Sequence, residues 1–583
     1  MPNPLHELRR RKVFRAAALY IVGAWIVLQV ADLAFPGLGI PEQAIRYVWI
    51  GALIGLPLAV LFAWRYEITP QGIVRTPPSE TGEAATRTLQ KSDYVILGTL
   101  LLVAGGTVFQ LSTRIRQTPM LASQGPVSHE ILRNTVAVLP FQNVTGDPEQ
   151  EFFAAGMHDA LITTLSKIGA LTVKAASSTN VYRNVVQPAR QTGLELRTAH
   201  LVEGSVFRTG DRVQVNVRLI AAATDDNLWS ESYERDISDV LTLQNEVART
   251  IAGQIRVELT PDEESRLASA RTVNPGVYET YLRGMFHLNK YTPEGLEKGL
   301  AYLHQAVEMD PGDPLAYAGL AQGYTLIGHG VHPPPDAFAR AREAAVKALE
   351  LDPLFPEAHA AMAEIQLYYD WDWDGAKRSF LRALQLNPNL EFAHAHYAWL
   401  SQLLGNMDIA LEHMARAQQI APVTPIFTAW LGWLYWGDGQ PDKAVAEALK
   451  SLEVNSNFPW GLYVLGGAHA ANGEHEEAIA TYQRLLEIAP TLGRWGLAFT
   501  YAELGRSADA LEMTAALAEN PGHKDLVMIG LTHAILGDRD EAMTWLEAAH
   551  EAHVDWLPWI AARAGFDQFV GSALDSLLAD PRY

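Results

Sequence analysis

A repeat of fixed period constrains the fold of this chain more than any other feature of its sequence. Five glycines are each followed, five residues later, by an alanine, and successive glycines are separated by 34 or 32 residues. The pairs are Gly405/Ala410, Gly439/Ala444, Gly473/Ala478, Gly505/Ala510 and Gly537/Ala542. The positions 388, 422, 456 and 490, three of them proline, repeat at the same interval of 34 residues. A fixed period near 34 predicts an array of two-helix repeats.

The residues that mark the repeat have physical reasons for their places. Glycine suits the end of the first helix of a pair because it tolerates a positive φ, and proline ends a unit because it cannot continue a helix. The spacing of Leu431, Gly432 and Tyr435 resembles that of the tetratricopeptide repeat. The resemblance implies an all-α solenoid of about eight helix pairs over 274–552, followed by a capping segment at 553–583.

Composition restricts the partners and the chemistry of the chain. Of 583 residues, 48% are hydrophobic and 19% are charged, as in folded proteins. The net charge of −21 disfavours binding to a phosphate backbone, so we predict no nucleic-acid partner. The absence of cysteine excludes disulfides, thiol nucleophiles and thiolate metal sites.

Three apolar segments near the amino terminus predict membrane spans. They lie at 16–33, 47–64 and 94–111, and each approaches the ~20 residues that cross a bilayer. Five basic residues precede the first segment, one lies between the first two, and four lie between the last two. The positive-inside rule then predicts a multi-pass anchor over 1–111 in a bacterial inner membrane, with a cytoplasmic amino terminus. Everything after the linker at 112–133 is expected in the periplasm.

The region 134–260 reads as a small α/β domain. Its segments are a strand at 135–141, a helix at 152–168, a strand at 171–174, a short helix near 194, a hairpin of 202–208 and 212–220, and a closing helix at 240–259. The resulting order β-α-β-α-β-β-α predicts a mixed sheet with helices packed on it.

Several motifs in this region carry a second resemblance. The residues 136–141, Gly204 and the segment 228–233 resemble the TolB amino-terminal-like domain. With the repeats, the chain is similar to bacterial membrane-anchored tetratricopeptide repeat proteins of the type often associated with class III adenylate cyclases. We recognise no cyclase module in this sequence. The resemblance therefore implies an architecture and a signalling context rather than an activity.

Six aromatic residues fall where the tetratricopeptide resemblance places the concave wall of the array. They occupy positions 2, 5, 9 or 12 of the first helix in three successive units and are Phe392, Trp399, Trp433, Trp436, Trp460 and Tyr463. Aromatic side chains are favoured at interfaces, so we predict that these six bind a protein or peptide partner. The same positions also suit packing between helices, and the sequence leaves both interpretations open.

No motif in the sequence points to catalysis. We find no nucleophile elbow, paired metal-ligand motif or phosphate loop, so no catalytic, cofactor or metal site is predicted. His359, His394 and His396 fit packing better than metal binding, and the acidic run 370–374 fits a turn better than a calcium loop. The predicted function is a non-catalytic, membrane-anchored adaptor that binds a partner in its groove. The alternative is a sensory component of a signalling system that detects a ligand through its outer domains; the oligomeric state is left open.

Overall fold

The computed structural model describes Tyr20, Ala24 and residues 66–69, 72–75, 133–269, 271–563 and 571–580. The chain divides into two compact units, Met1–Pro126 and Val127–Tyr583. In the first unit, strands β1 (Tyr66–Thr69) and β2 (Gly72–Arg75) pair antiparallel. The second unit contains the α/β domain and the helical array.

The predicted membrane anchor is wrong. None of the helices in the described parts of the chain is long and apolar enough to cross a bilayer. The longest of these helices, Pro293–Met309, has 17 residues and carries charged side chains, whereas a span takes about 20 apolar residues. The three segments predicted as spans, apart from Tyr20 and Ala24, lie outside the described residues. The predicted inner-membrane, periplasm-facing location and the bilayer as a partner lose their basis with the anchor.

A mixed sheet forms the centre of the α/β domain. The strand order is β5 (Thr172–Val173), β3 (Thr135–Val138), β6 (His200–Thr209), β7 (Arg212–Ala221) and β8 (Asp226–Asp236). Strand β4 (Gln142–Asn143) pairs with Ser205 and Val206 in the middle of β6. Strand β3 runs parallel to β5 and β6, whereas β6, β7 and β8 are antiparallel neighbours. In chain order the elements are β3 (Thr135–Val138), β4 (Gln142–Asn143), α1 (Glu151–Ser166), β5 (Thr172–Val173), α2 (Ala176–Thr179), α3 (Ala189–Glu195), β6 (His200–Thr209), β7 (Arg212–Ala221), β8 (Asp226–Asp236), α4 (Val240–Ile255) and α5 (Pro261–Ala268).

Alternation along β3 gives the sheet two apolar faces. Val136 and Val138 pack with residues of α1 and α4, whereas Ala137, between them, packs on the other side with residues such as Leu196 near α3. Successive side chains of a strand point to opposite faces, so a strand that is apolar throughout is covered on both sides. The structure therefore confirms a small α/β domain.

The carboxy-terminal half is an all-helical solenoid. Over the described residues 275–551 it consists of eight helix pairs in sequence. The pairs are α6 (Pro275–Leu288) with α7 (Pro293–Met309), α8 (Pro314–Gly328) with α9 (Ala337–Leu351), α10 (Pro356–Tyr368) with α11 (Trp373–Leu386), α12 (Glu391–Leu403) with α13 (Met407–Ile420), α14 (Pro425–Gly437) with α15 (Pro441–Val454), α16 (Pro459–Ala471) with α17 (His475–Ile488), α18 (Pro490–Glu503) with α19 (Ser507–Ala518), and α20 (Asp525–Ile535) with α21 (Arg539–Glu551). Two short helices follow, α22 (Leu557–Ala561) and α23 (Ser572–Leu578).

The repeat glycines end the first helix of a pair in a left-handed conformation. All five have φ between 70° and 83°. At Gly439 the backbone N–H donates to the carbonyl of Trp436 at 3.0 Å, and the next N–H, of Gln440, donates to the carbonyl of Tyr435 at 2.9 Å. Glycine adopts this conformation without the steric penalty of a Cβ. The five repeat alanines are each 0% exposed, so the period reflects both turn geometry and close packing.

The array coils far enough for its last helix pair to contact its second and third pairs. The loop between α8 and α9 receives a hydrogen bond at 2.9 Å from the N–H of His523 to the carbonyl of Val331. The turn after α10 meets the end of α21, where the ring of Trp371 stacks on His553 with centroids 4.3 Å apart. The Nε2 of His553 also lies 2.6 Å from the carbonyl of Tyr369. The concave face of the solenoid therefore surrounds a central space.

The α/β domain is joined to the array by buried hydrogen bonds near the turns that connect successive helix pairs. Asn389, which precedes α12, donates to the carbonyls of Ser166 and Leu171 at 3.0 Å each and accepts the N–H of Val173 at 3.3 Å. Farther along, the Nζ of Lys174 donates to the carbonyl of Gln419 at 2.7 Å. Buried polar groups with full sets of partners favour a single arrangement of the domain against the array.

Candidate functional site

A cavity of about 1480 Å³ lies between helix α1 of the α/β domain and the inner wall of the array. The first helix of each of several successive pairs contributes residues at helical spacing. On α10 these residues are Glu357, Ala361, Glu364 and Tyr368, which share one face because they recur every three or four residues. The same arrangement in neighbouring pairs makes the wall continuous.

Five tryptophans form one part of this wall, which we call the tryptophan wall. Trp399 lies 5.8 Å from Trp430 and 6.4 Å from Trp433, measured between ring centroids. Trp433 in turn lies 6.1 Å from Trp460 and 6.3 Å from Trp556. These distances fall in the range of favourable aromatic pairs, which are mostly edge-to-face here. All five side chains line the cavity.

The structure separates the six aromatics predicted from the repeat positions into two groups. Four of them line the cavity: Phe392, Trp399, Trp433 and Trp460. The other two are buried between helices, with Trp436 4% and Tyr463 1% exposed. The indole of Trp436 packs on Gly467 of the next pair, where a Cβ would lie 1.8 Å from its Cη2 atom. The geometry of Trp436 and Tyr463 is that of core residues.

A buried cluster of acids and histidines adjoins the tryptophan wall. His329, just after α8, lies between two carboxylates, with its Nε2 3.5 Å from Glu364 and its Nδ1 3.6 Å from Asp555. The Nε2 of His396 lies 3.7 Å from the same carboxylate of Glu364. The Nδ1 of His396 lies 2.8 Å from the hydroxyl of Tyr368. The cluster therefore joins α8, α10 and α12 to the segment after α21.

Burial and close charges shift the pKa values in this cluster. Burial lowers the pKa of His329, but hydrogen bonds and charge from Asp555 and Glu364 outweigh burial and leave it raised. Burial raises the pKa of Glu364, and the two neighbouring histidines more than offset it, so the net shift is downward. Burial lowers the pKa of His396 despite the attraction of Glu364. Both carboxylates are therefore ionised at neutral pH, because the pKa of Asp555 is also lowered, with Lys524 and His329 overcoming its burial.

Two buried polar side chains on the cavity have hydrogen-bonding capacity that is not used. Gln402, on the same face of α12 as Trp399, is 4% exposed, and neither atom of its amide has a hydrogen-bond partner among the described residues. In that part of the chain the Oδ1 of Asp555, which is 6% exposed, also has no partner. An unsatisfied buried polar group costs about 1–3 kcal/mol, and such groups call for an explanation.

Sequence reasoning missed much of this cluster. His329 lies in the insertion that breaks the 34-residue period, and Asp555 and Trp556 lie after the last pair, so repeat positions do not apply to them. Trp430 lies three residues before Trp433, so both lie on one side of α14, but it does not occupy position 2, 5, 9 or 12 of its unit. The available signal was the repeated placement of tryptophan along α12, α14 and α16.

The histidines considered for metal binding have structural partners instead. His394 contacts His413, with their Nδ1 atoms 3.0 Å apart, and the Nε2 of His359 lies 3.0 Å from the carbonyl of Pro353. In the acidic turn, Asp372 caps α11 by accepting the N–H of Gly375 at 2.9 Å. Among the described residues, no group of three or more histidine and acidic side chains could hold a metal ion.

Comparison with known families divides the chain in the same way as the fold. Residues 132–250 match the second domain of HilA/YgeH-like transcriptional regulators. Two tetratricopeptide repeat families match residues 431–492 and 492–516. The family that matches the α/β domain is not the TolB amino-terminal-like family that its motifs resemble. The relation to TolB stays a prediction.

Two curated proteins are similar to longer parts of the chain. A putative adenylate cyclase of Rhizobium meliloti (strain 1021) is 33% identical over 252 residues, which cover 43% of this chain and 43% of that protein. This chain thus spans less than half the length of that relative. The transcriptional regulator HilA of Salmonella typhimurium is 24% identical over 428 residues, covering 70% of this chain and 74% of the regulator.

Solved structures of repeat proteins are also similar to this chain. PilF of Pseudomonas aeruginosa is 20% identical with a TM-score of 0.30, and the match covers 36% of this chain and 92% of that structure. YrrB, described as a tetratricopeptide protein with an unusual peptide-binding site, is 19% identical with a TM-score of 0.25, over 33% of this chain and 95% of that structure. From the matching repeat families and the helical array, the chain carries tetratricopeptide repeats, which typically form non-catalytic scaffolds for protein interaction.

Proposed function

We propose that this chain is a non-catalytic scaffold that binds a peptide segment of a partner protein in the cavity between its repeat array and its α/β domain. The observation that carries the proposal is the cavity itself, with about 1480 Å³ of space beside the tryptophan wall. Binding sites are typically concave and largely apolar, with a few convergent polar groups. Gln402 and the acid–histidine cluster supply such groups here.

The enclosed shape favours an extended segment over a folded partner. The wall coils until Tyr369 and Trp371 meet His553, and the α/β domain contacts Asn389 in the turn before α12. A folded domain needs a broad open surface, whereas a chain in extended conformation needs a passage and pockets for its side chains. The tryptophans provide rigid contact area at a low cost in side-chain entropy.

A second candidate is a regulatory module that detects a small ligand. The similarity to a protein named as an adenylate cyclase and to one named as a transcriptional regulator favours a role in signalling. The two names describe different chemistry and have only regulation in common. The part of each relative that matches this chain therefore suits an input function. A free small ligand would bind the same cavity without a protein partner.

Peptide display on the purified full chain tests the proposal. We expect enrichment of defined peptides, and the double substitution Trp399→Ala with Trp460→Ala should weaken their binding at least about thirtyfold, because anchor residues contribute 2 kcal/mol or more. The matched control is Trp373→Ala at the start of α11, since this side chain is 36% exposed and lies away from the cavity lining. The control variant should bind the enriched peptides as tightly as the unchanged chain.

Three outcomes bear on the choice between the two functions. Failure of the unchanged chain to enrich any peptide contradicts the scaffold proposal, as does equal binding by the double variant. If instead a small molecule alone raises the melting temperature, and Trp399→Ala abolishes that shift, the sensory function is favoured. Circular dichroism of each variant establishes that it is folded.

A further inference from the structure

The charges of the cavity lining are divided unevenly along the chain. Among the described residues that line the cavity from residue 314 onward, the acidic side chains outnumber Lys524 and His329, whose pKa is raised; the acidic ones are Asp352, Glu357, Glu364, Glu391 and Asp555. Burial raises the pKa of Glu391 to about 7, so four of the five carry the full negative charge at neutral pH. The lining before residue 314 shows the reverse excess, with three acidic side chains against five basic ones, Lys167, Arg183, Arg266, Arg271 and Lys290. The part of the lining from residue 314 onward therefore favours a positively charged group.

Aromatic rings and carboxylates meet at the place where the negative charge lies. The faces of aromatic rings attract cations within about 6 Å of the ring centroid, and tryptophan does so most strongly. The chain already uses this geometry once. The Nζ of Lys524 lies 5.2 Å from the ring centroid of Trp556 and 3.5 Å from the Oδ2 of Asp555. An ammonium group is thus accommodated between a ring of the tryptophan wall and a carboxylate.

Lys524 does not use all the hydrogen-bonding atoms of the buried side chains near the tryptophan wall. The Oδ1 of Asp555 and both amide atoms of Gln402 have no hydrogen-bond partner in the described residues, although both side chains are more than nine-tenths buried. His396, Trp399 and Gln402 lie three residues apart on α12, so they follow one face over about 9 Å of helix. Of these atoms, the Oδ1 of Asp555 and the Oε1 of Gln402 are acceptors, which N–H donors of a bound group can satisfy.

We infer that the cavity binds a basic side chain, an ammonium or guanidinium group, between the tryptophan wall and the carboxylates of Asp555 and Glu364. The inference rests on the proposed function, since the cation belongs to a peptide segment of the partner. Guanidinium suits the site best, because its planar face stacks on indole while its five N–H groups donate to carboxylate oxygens.

A set of three short peptides tests the charge requirement on the full chain. The probes are acetylated and amidated Gly-Arg-Gly, the same peptide with citrulline, which keeps the shape but not the charge, and the same peptide with glutamate. Isothermal titration calorimetry should give one site for the arginine peptide and a Kd at least about tenfold lower than for citrulline. Equal affinity for the arginine and citrulline peptides, or tighter binding of the glutamate peptide, would overturn the inference.

Two substitutions locate the site and keep the test independent of folding. Asp555→Asn should weaken the arginine peptide at least about tenfold, because it removes one of the two facing carboxylates. Lys524→Gln keeps every carboxylate and removes the competing cation, so the arginine peptide should bind about threefold tighter. Unchanged or weaker binding to the Lys524→Gln variant contradicts the inference. If displayed peptides bind through Trp399 and Trp460 without regard to charge, the proposed function stands and this inference fails. If the arginine peptide binds but peptide display enriches no peptide, the cation site stands and the proposed function fails.

Discussion

The contact between Trp436 and Gly467 allows a sharp test of which tryptophans belong to the core. Gly467 lies in the middle of α16, where glycine normally destabilises a helix by about 1 kcal/mol relative to alanine. An added Cβ there would lie 1.8 Å from the Cη2 of Trp436 and 2.2 Å from its Cζ2 and Cζ3. The indole would have to move by roughly 1.5–2 Å to reach ordinary contact distance.

The surroundings of Trp436 oppose that movement. Its side chain is 4% exposed and packs between the rings of Trp433, at 5.6 Å, and Tyr463, at 6.3 Å. Overpacking of this kind costs about 1–3 kcal/mol, and the severity of this clash puts the cost at the upper end. After subtraction of the gain in helix propensity, we expect Gly467→Ala to lower the free energy of unfolding by about 2 kcal/mol.

The same change from glycine to alanine is expected to raise, rather than lower, the free energy of unfolding at Gly253. Gly253 lies in α4, and a Cβ there would have nothing within 4 Å, so Gly253→Ala should stabilise by about 0.5–1 kcal/mol. Urea denaturation followed by far-UV circular dichroism measures both changes. In a Trp436→Phe background, which lacks the clashing part of the indole, Gly467→Ala should cost at least about 1 kcal/mol less. A neutral or stabilising Gly467→Ala, or an equal cost in both backgrounds, would refute the packing argument.

Three further substitutions test the turn, the domain contact and the charged cluster. Gly439→Ala should cost roughly 1–2 kcal/mol in urea denaturation, because φ is 70° and nothing lies near the added Cβ, so only the backbone penalty remains. Asn389→Ala should cost about 1–3 kcal/mol and speed hydrogen exchange at Val173, because it leaves buried carbonyls and an N–H between domain and array without partners. His329 has a raised pKa in the folded chain, so its contribution is complete below its unfolded pKa of about 6.5 and is lost as pH rises through the folded value. The difference in unfolding free energy between the unchanged chain and His329→Gln should therefore shrink from pH 6 to pH 9.

Local geometry was the part of the fold that the sequence could predict. The repeat glycines lie where helices end with positive φ because this conformation depends on a few neighbouring residues. The hairpin around Gly210, with φ of 58°, was predictable for the same reason. Strand β8 was not, because its residues are mostly exposed and lack apolar alternation, which is the main sequence signal of a strand. This segment is a strand because its backbone pairs antiparallel with β7.

Contacts between distant parts of the chain were the part that the sequence could not predict. A 34-residue period identifies the inner face of each helix but not the curvature of the array, which accumulates from small rotations between repeats. That curvature brings Trp371 to His553. The burial of Trp436 depends instead on the glycine at position 467 of the adjacent pair, which leaves room for the indole. For the apolar amino-terminal segments, the local signal was itself misleading, because hydropathy alone led to the wrong prediction of an anchor.

The closure of the array and the chemistry of the cavity involve the same residues. His329 joins α8 to Asp555, beyond the last pair, and both side chains also line the cavity. An occupant that contacts Asp555 and Glu364 therefore contacts the third helix pair and the segment after the last pair together. Because a ligand shifts an equilibrium only by its difference in affinity for the two states, such an occupant favours the closed coil over any opened one. The same buried charges therefore take part both in the contact that closes the array and in the lining of its cavity.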